Sequence, residues 1–220
     1  MNKSIVLPLL GGVLALFAVA ALAAEPQRIN GDVVSLDGSL LRVRTTAGQE
    51  VAVKLGDSAR ITTRATTDLA QLAKGDFLGT TAVPQPDGTL KASEVHVFAE
   101  SMRGTGEGHR PMDNIPGSTM TNATVTAIGS AKAAPANTMT NATVSSISTQ
   151  DRSRRMTLAY KGGEKIVVVP EGTPVTRVEP GDRSLLVKGA HVALTAALQP
   201  DGSLAAERIN VGKNGYVPTI

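Results

Sequence analysis

The chain has 220 residues and a net charge of +3, and it contains no cysteine and no tryptophan. The absence of cysteine excludes thiol catalysis, iron–sulfur clusters, cysteine-ligated zinc and disulfide-stapled scaffolds. Hydrophobic residues make up 41% of the chain and charged residues 19%, which is typical of a folded globular protein. The 12 prolines and 22 glycines favour many turns over a helical bundle.

The first 23 residues have the pattern of a cleaved export signal. Lys3 supplies a positive charge, an apolar run covers residues 5–20, and Ala21-Leu22-Ala23 matches an A-x-A cleavage pattern. The alternative is a membrane anchor formed by residues 5–22, although that run is short for a span of about 20 residues. We therefore expect an exported, periplasmic protein with no membrane segment after cleavage.

An internal repeat with an offset of 114 residues organises the rest of the chain. The segment Gln85-Pro86-Asp87-Gly88 recurs as residues 199–202, and Lys74-Gly75 recurs as residues 188–189. A repeat of this kind predicts a duplicated domain.

Both repeats are predicted to be β-structure. Alternating apolar and polar residues and Asp-Gly turns indicate short strands, and Asp68 is expected to cap one helical turn. The predicted strands of the first repeat are 33–36, 41–44, 51–55, 60–64, 77–83 and 91–98, and those of the second are 142–148, 156–160, 165–169, 174–178, 191–198 and 204–211.

About six short strands in each repeat favour a small closed barrel. The expected architecture is all-β, with a first barrel over 24–98, a long Gly-rich connector over 99–141 and a second barrel over 142–220. We expect these two tandem barrels to pack on each other through aliphatic side chains. His191 aligns with Phe77 and is expected to half-fill a core-facing position.

The first repeat carries the pattern G-x-V, L-x-V, V-x-V and D-G-x-L-x-A, the last two of these recur in the second repeat, and residues 102–111 read MRGTGEGHRP. This pattern resembles an exported bacterial family built from a small β-barrel domain of unknown function. The resemblance covers nearly the whole mature chain and implies an oligonucleotide-binding-like barrel in the periplasm, with no established activity or site. The chain departs from the family pattern because TMTNATV occurs twice, at 119–125 and 138–144, so either copy could open the second barrel.

The connector contains a candidate ligand contact. Gly104, Gly106 and Gly108 alternate there between Arg103 and Arg110. Successive N–H groups of such a stretch can form an anion-binding nest that two arginines clamp. The alternative is an ordered loop whose glycines satisfy backbone geometry and whose arginines bond carbonyl groups or a nearby carboxylate.

A divalent-metal site is the second hypothesis. Glu107 and His109 fall on one side of an extended chain, and His96, Glu100 and Asp113 are near in sequence. Carboxylate and imidazole groups suit zinc or a similar ion. The alternative is that His109 forms a local hydrogen bond.

Other functions have less support in the sequence. The methionines at 102, 112, 120 and 139 could bind copper(I) or fill gaps in packing. The basic patch over residues 152–165 contains one aromatic residue, Tyr160, whereas nucleic-acid barrels stack bases on several. A triad of His109, Asp113 and Ser118 can be drawn in any loop that contains these residue types.

These observations predict a periplasmic binding or scaffold module, with the inter-barrel loop as its contact surface. The expected partner is an unknown protein or a small anionic ligand. We expect no enzyme activity, no cofactor and no nucleic-acid partner. A metal binder that uses Glu107 and His109 is the alternative, and a hydrolase is the third possibility.

Overall fold

The computed structural model describes residues 26–112, 115–130 and 153–219. Within these ranges the backbone forms twelve β-strands and three single-turn 3-10 helices, with no α-helix, so the predicted all-β class is confirmed. None of the described helices is long and apolar enough to cross a membrane. The predicted export signal lies outside the described residues.

The strands are β1 (Gln27–Asp37), β2 (Leu40–Thr45), β3 (Glu50–Thr66), β4 (Phe77–Pro84), β5 (Leu90–Phe98), β6 (Gly108–Pro111), β7 (Thr119–Ser130), β8 (Arg154–Tyr160), β9 (Gly163–Val169), β10 (Val175–Pro180), β11 (His191–Leu198) and β12 (Leu204–Gly212). The 3-10 helices are Leu69–Gln71, Glu100–Met102 and Arg183–Leu185.

Five strands close into a barrel. The antiparallel pairs are β1 with β2, β1 with β11, β2 with β3, and β11 with β12. A parallel pairing of β12 with β3, eight residue pairs long, closes the ring. Closure removes free sheet edges, which favour aggregation in strands rich in Val and Thr. Fully buried aliphatic side chains such as Leu41, Val53 and Ile209 form the barrel core.

Five of the remaining strands form a second circuit of pairings. The antiparallel pairs are β4 with β5, β4 with β7, β7 with β8, and β8 with β9. The parallel pairing of β5 with β9 is only two residue pairs long. A separate core that includes Leu78, Met156 and Leu158 belongs to this circuit. β10 joins the barrel to the circuit because it lies antiparallel to β3 and parallel to β5.

Each ring of strands takes its members from both repeats. The barrel combines β1–β3 with the β11–β12 hairpin, and the circuit combines β7–β9 with the β4–β5 hairpin. The two parallel pairings have corresponding registers. Leu204 faces Val53 in the barrel, and their counterparts in the other repeat, Leu90 and Val167, face each other in the circuit. The expected arrangement of two tandem barrels is not confirmed, since the two repeats exchange their C-terminal hairpins.

Most predicted strand positions agree with the described strands, although the predicted strand 33–36 covers only part of β1 (Gln27–Asp37). The prediction 191–198 coincides with β11, and those for β4, β5 and β12 differ by one residue. The predicted strands 51–55 and 60–64 form one long strand, β3, whose register against β12 shifts between Leu55 and Arg60. Asp68 caps its turn as predicted, since its carboxylate accepts a hydrogen bond from the Ala70 N–H at 2.7 Å. The predicted strand 142–148 lies outside the described residues.

The predicted Gly-rich connector over 99–141 is not confirmed, because β6 and β7 lie within it. The first TMTNATV copy is part of β7. There Asn122 faces Gly79 of β4, just as Asn30 of β1 faces Ala193 of β11. β7 therefore has the position in the second repeat that β1 has in the first. The second copy, residues 138–144, lies outside the described residues.

The expectation that His191 half-fills a core-facing position is wrong. Its side chain is 45% exposed and lies against the Asp32 carboxylate on β1. Phe77, at the corresponding position, is 2% exposed. The two environments differ because Phe77 faces Thr124 across its strand pair, whereas His191 faces an acidic residue.

Candidate functional site

Arg103, the first predicted anion clamp, is bonded within its own surroundings. Its guanidinium donates to both carboxylate oxygens of Glu100, at 2.6 and 2.7 Å. It also donates to the Gly75 carbonyl at 2.8 Å and to the Thr124 hydroxyl at 3.2 Å. The guanidinium lies 6.0 Å from the centre of the Phe77 ring. Arg103 therefore connects its loop to β4 and β7, which is a structural role.

The second predicted clamp, Arg110, is also bonded within the loop. Its guanidinium donates to the Gly106 carbonyl at 2.9 Å and lies 3.3 Å from the Met120 sulfur. Gly104, Gly106 and Gly108 have φ values of +83°, +57° and +133°, a region that glycine adopts without steric cost. The structure thus brings the predicted residues together as a turn that its own arginines stabilise.

The two predicted metal ligands each have a local partner. The Glu107 carboxylate accepts a hydrogen bond from the Lys161 N–H at 2.8 Å. The His109 Nδ1 atom lies 2.8 Å from the Thr121 hydroxyl, and its ring stacks on Tyr160 with 6.4 Å between centres. Burial, with the charge of Lys165, lowers the pKa of His109, which favours the neutral form of the ring. In the ranges that the structure describes, no three His, Asp or Glu side chains form a group that could hold a metal ion.

Some residues named in the alternative hypotheses cannot be placed. Asp113 and Met139 lie outside the described residues. Ser118, the third member of the drawn triad, is 5% exposed. Its hydroxyl is therefore closed to a substrate in this conformation.

A buried polar group at the junction of the barrel and the circuit resembles a catalytic relay. The His96 Nδ1 lies 2.8 Å from the Thr176 hydroxyl, and its Nε2 lies 3.3 Å from the Glu94 carboxylate. Hydroxyl, imidazole and carboxylate in this order are the parts of a nucleophilic triad. Thr176 is only 1% exposed, so no substrate can reach it. The hydrogen bond from His96 and the charge of Arg64 lower the pKa of Glu94, and the group serves to bind β5 to β10.

Two grooves lie at corresponding places in the barrel and the circuit. One has a volume of about 520 Å³ and is bounded by the β11–β12 turn, by β3 and by the β1–β2 turn. The other has a volume of about 450 Å³ and is bounded by the β4–β5 turn, the end of β9 and the start of β8. The first groove is lined by Ser39, Lys54, Leu55, Gly56, Gln199, Pro200, Asp201, Ser203 and Ala205. The second groove is lined by Gln85, Pro86, Asp87, Thr89, Lys91, Ser153, Val168 and Pro170.

The repeated Gln-Pro-Asp-Gly turn forms one wall of each groove. The Asp201 carboxylate accepts hydrogen bonds from the N–H and the hydroxyl of Ser203, and Asp87 does the same with Thr89. The glycine after each aspartate has a φ of +79° or +81°, which the turn requires. The hydrogen bonds lower the pKa of both aspartates. Each groove therefore has one ionised, fixed carboxylate in its wall at neutral pH.

Each turn aspartate interacts with a base from another strand. In the barrel groove, the Lys54 Nζ lies 3.1 Å from the Asp201 Oδ2. In the second groove, Val168 has the position that corresponds to Lys54, and Arg155, which does not line the groove, makes only a minor contribution to lowering the pKa of Asp87. The base that lines the groove is therefore Lys54 of β3 in the barrel and Lys91 of β5 in the circuit. None of the described lining residues is aromatic.

The sequence hypotheses did not include the grooves, although a signal for them exists. The Gln-Pro-Asp-Gly segment recurs with Thr89 or Ser203 after it, and the sequence analysis uses it only as a hairpin signal. The residue that pairs with Asp201 is Lys54, which is 147 positions away in the chain. A contact over that distance cannot be read from local spacing.

Comparison with known proteins finds no matching family model, no matching curated protein and no matching solved structure. The grooves are therefore interpreted from their own geometry and chemistry.

Proposed function

We propose that this protein is an exported, non-catalytic binding module of the cell envelope, and that its grooves bind an extended peptide segment of a partner protein. The observation that carries the proposal is the matched pair of grooves. Each has a fixed aspartate from the repeated turn and one lysine in its lining, Lys54 in the barrel groove and Lys91 in the second groove. Corresponding surfaces that each combine an aspartate with a lysine favour two similar binding sites in one chain.

The strand order supports an oligonucleotide-binding-like architecture. The order around the barrel is β1, β2, β3, β12, β11, and the third and fourth of these, β3 and β12, run parallel. The circuit has the corresponding order β7, β8, β9, β5, β4. Such folds bind extended polymers at the loops that follow their first and fourth strands in chain order. In the barrel these loops are the β1–β2 and β11–β12 turns, and both grooves lie at turns of this kind. We propose that the circuit is a second barrel and that both descend from one duplicated unit.

The chemistry of the grooves favours a peptide over a nucleic acid. Single-stranded nucleic acids bind by stacking their bases on aromatic side chains, and the described groove linings contain none. In the barrel groove, Lys54, Asp201 and Gln199 offer charges and an amide that can pair with a peptide backbone and its termini. Pro200 and Leu55 add apolar contact.

The loop over residues 103–111 is not part of the proposed contact surface. Its two arginines already donate to groups of the same protein. The proposed metal function of Glu107 and His109 likewise has no supporting geometry, since both groups have local partners.

The export part of the proposal rests on the N-terminal sequence pattern and has its own test. Protein recovered from a periplasmic extract is expected to begin at Ala24, as read by mass spectrometry of its N-terminal peptide. An intact N-terminus in the membrane fraction would contradict cleavage and support the anchor formed by residues 5–22.

The binding part can be tested by screening the mature chain on an array of random decapeptides. Peptides that bind are then measured against Ala205→Gln, which places a larger side chain in the barrel groove, and Ala52→Gln as a matched control. Ala52 is exposed on β3 and does not line the groove. We expect Ala205→Gln to weaken binding by about tenfold or more, equivalent to ~1.4 kcal/mol, and the control to change it little. Absence of any selected peptide, or equal weakening by both variants, would refute the groove as the site.

A further inference from the structure

A row of arginines crosses the outer face of the barrel on neighbouring strands. Arg28 of β1 faces Thr195 of β11, Thr195 faces Arg208 of β12, and Arg208 faces Arg60 of β3. The three arginines are exposed, whereas an apolar neighbour of each along its strand packs in the core. Adjacent strands lie about 4.8 Å apart, so this arginine row (Arg28, Arg60, Arg208) spans about 14 Å.

The three guanidinium groups of the arginine row have no hydrogen-bond or ion-pair partner in the part of the chain that the structure describes. Arg44, on the next strand, is by contrast paired with Glu50 at 2.9 Å. Like charges on directly opposed residues destabilise a sheet. The pairing of Arg208 with Arg60 across the two strands therefore opposes folding, and the stability of the barrel does not explain it.

The second circuit provides an internal comparison. Thr81 has the position that corresponds to Thr195, and the same register shift follows both residues. Thr81 faces Met120 on β7 and Glu94 on β5, so neither of its neighbours is basic. The same strand arrangement thus forms without arginines at these positions. A function specific to the barrel face accounts for their presence there.

The chemistry of the row selects the kind of ligand. Guanidinium groups form two-pronged hydrogen bonds with phosphate oxygens, and the Thr195 hydroxyl supplies a further donor between two of them. A straight row that crosses several strands matches a chain with repeated charges better than a single compact anion. The row includes no aromatic side chain, so bases would have no stacking surface there.

We propose that the arginine row is a docking surface for a linear, phosphate-bearing polymer that is recognised through the charges of its backbone. The row lies outside the groove residues, and the inference does not depend on peptide binding in the groove.

The test measures binding of long-chain inorganic polyphosphate to the mature chain by calorimetry at several salt concentrations. A row variant replaces Arg28, Arg60 and Arg208 with Gln, and a control variant replaces the exposed Arg42, Lys74 and Lys188 with Gln, so that both lose the same net charge. Orthophosphate and poly-glutamate at equal charge concentration serve as further probes. Thermal unfolding of each variant verifies folding, and the row variant is expected to melt no lower than the parent chain because it loses a like-charge contact.

We expect the row variant to bind polyphosphate about tenfold or more weakly, and the slope of log affinity against log salt to fall by about 2, as three lost phosphate contacts imply. The control variant should change the affinity less than about threefold, and orthophosphate should show no saturable binding. Equal weakening by both variants would show a non-specific charge effect and overturn the proposal. Failure of the parent chain to bind polyphosphate, or equal affinity for poly-glutamate, would also overturn it. Ala205→Gln is expected to keep the polyphosphate affinity of the parent chain. A negative result for peptide binding in the groove is thereby distinguished from a negative result for the arginine row.

Discussion

At the scale of single residues, the partners of a charged side chain decide its role. Arg103 and Arg110 were the best candidates by residue type and spacing, yet both donate to groups of the surrounding protein. Arg28, in a sequence context with no motif, is exposed in a row with two others. The sequence predicts which residues share the loop around residues 103–111. It cannot predict that their donors are occupied, because Gly75 lies 28 positions from Arg103.

Replacement of Arg103 by Ala is expected to lower the melting temperature by about 2–4 °C, because the Gly75 carbonyl and Glu100 lose their bonded cation. Peptide and polyphosphate binding should be unchanged. Calorimetric unfolding and the two binding assays check this, with the exposed Arg42→Ala as control. Loss of binding with no change in melting temperature would return the loop to the role of a ligand site.

The pKa of Glu94 makes the junction sensitive to acid. The hydrogen bond from His96 and the charge of Arg64 hold this pKa below the ordinary 4.5. The ionised form therefore stabilises the folded state above that value, and the stabilisation is lost as the pH falls through the lower, folded pKa. Glu94→Gln should lower the free energy of unfolding by about 1 kcal/mol at neutral pH, and this deficit should shrink as the pH falls below the ordinary pKa of the carboxyl group. Urea unfolding at neutral pH and at a series of acid pH values checks this, with Glu164→Gln as control, and a deficit that does not change with acid would contradict the assignment.

At the scale of strands and turns, local sequence was most informative. Alternation and Asp-Gly turns act over a few residues, so β4, β5, β11 and β12 were located to within one residue. β7 is not among the strands predicted from alternation, although its TMTNATV segment is one of the two possible starts of the second barrel, because its buried positions include polar residues: Thr121 is fully buried and Asn122 is 5% exposed. Such a strand shows little hydrophobic alternation.

The close approach of β1 to β2 depends on Gly31. A Cβ atom at this position would clash with the backbone carbonyl of Arg44, so neither strand could keep its place. Gly31→Ala is expected to lower the free energy of unfolding by about 2 kcal/mol or more. Gly129→Ala is the matched control, because a Cβ there would meet nothing within 4 Å. Urea denaturation of both variants checks this. Equal urea midpoints for the two variants would show that β1 and β2 can move apart without loss of stability.

At the scale of the whole molecule, the exchanged hairpins make the two repeats depend on each other. Neither repeat contains all the strands of a ring. Corresponding polar contacts lie at the junction on both sides: His96 with Thr176, and Thr62 with Asn210, at 2.8 and 2.7 Å. The repeat in the sequence predicts a duplicated domain, and the alternation within it predicts the β class, which the structure confirms. It could not predict the exchange, because both hairpins carry the same pattern and each fits either ring locally.

The most direct test of this account is a pair of engineered disulfides in a chain that has no native cysteine. In the exchanged barrel, Asp32 faces His191, whereas in two tandem barrels its partner would be the corresponding residue, Phe77. Dilute protein that carries Asp32→Cys with either His191→Cys or Phe77→Cys is refolded under oxidising conditions and analysed by non-reducing electrophoresis and peptide mass mapping. The account predicts an intrachain disulfide for Asp32→Cys with His191→Cys and free thiols for the other pair. A disulfide in the Phe77→Cys chain together with free thiols in the His191→Cys chain would contradict it.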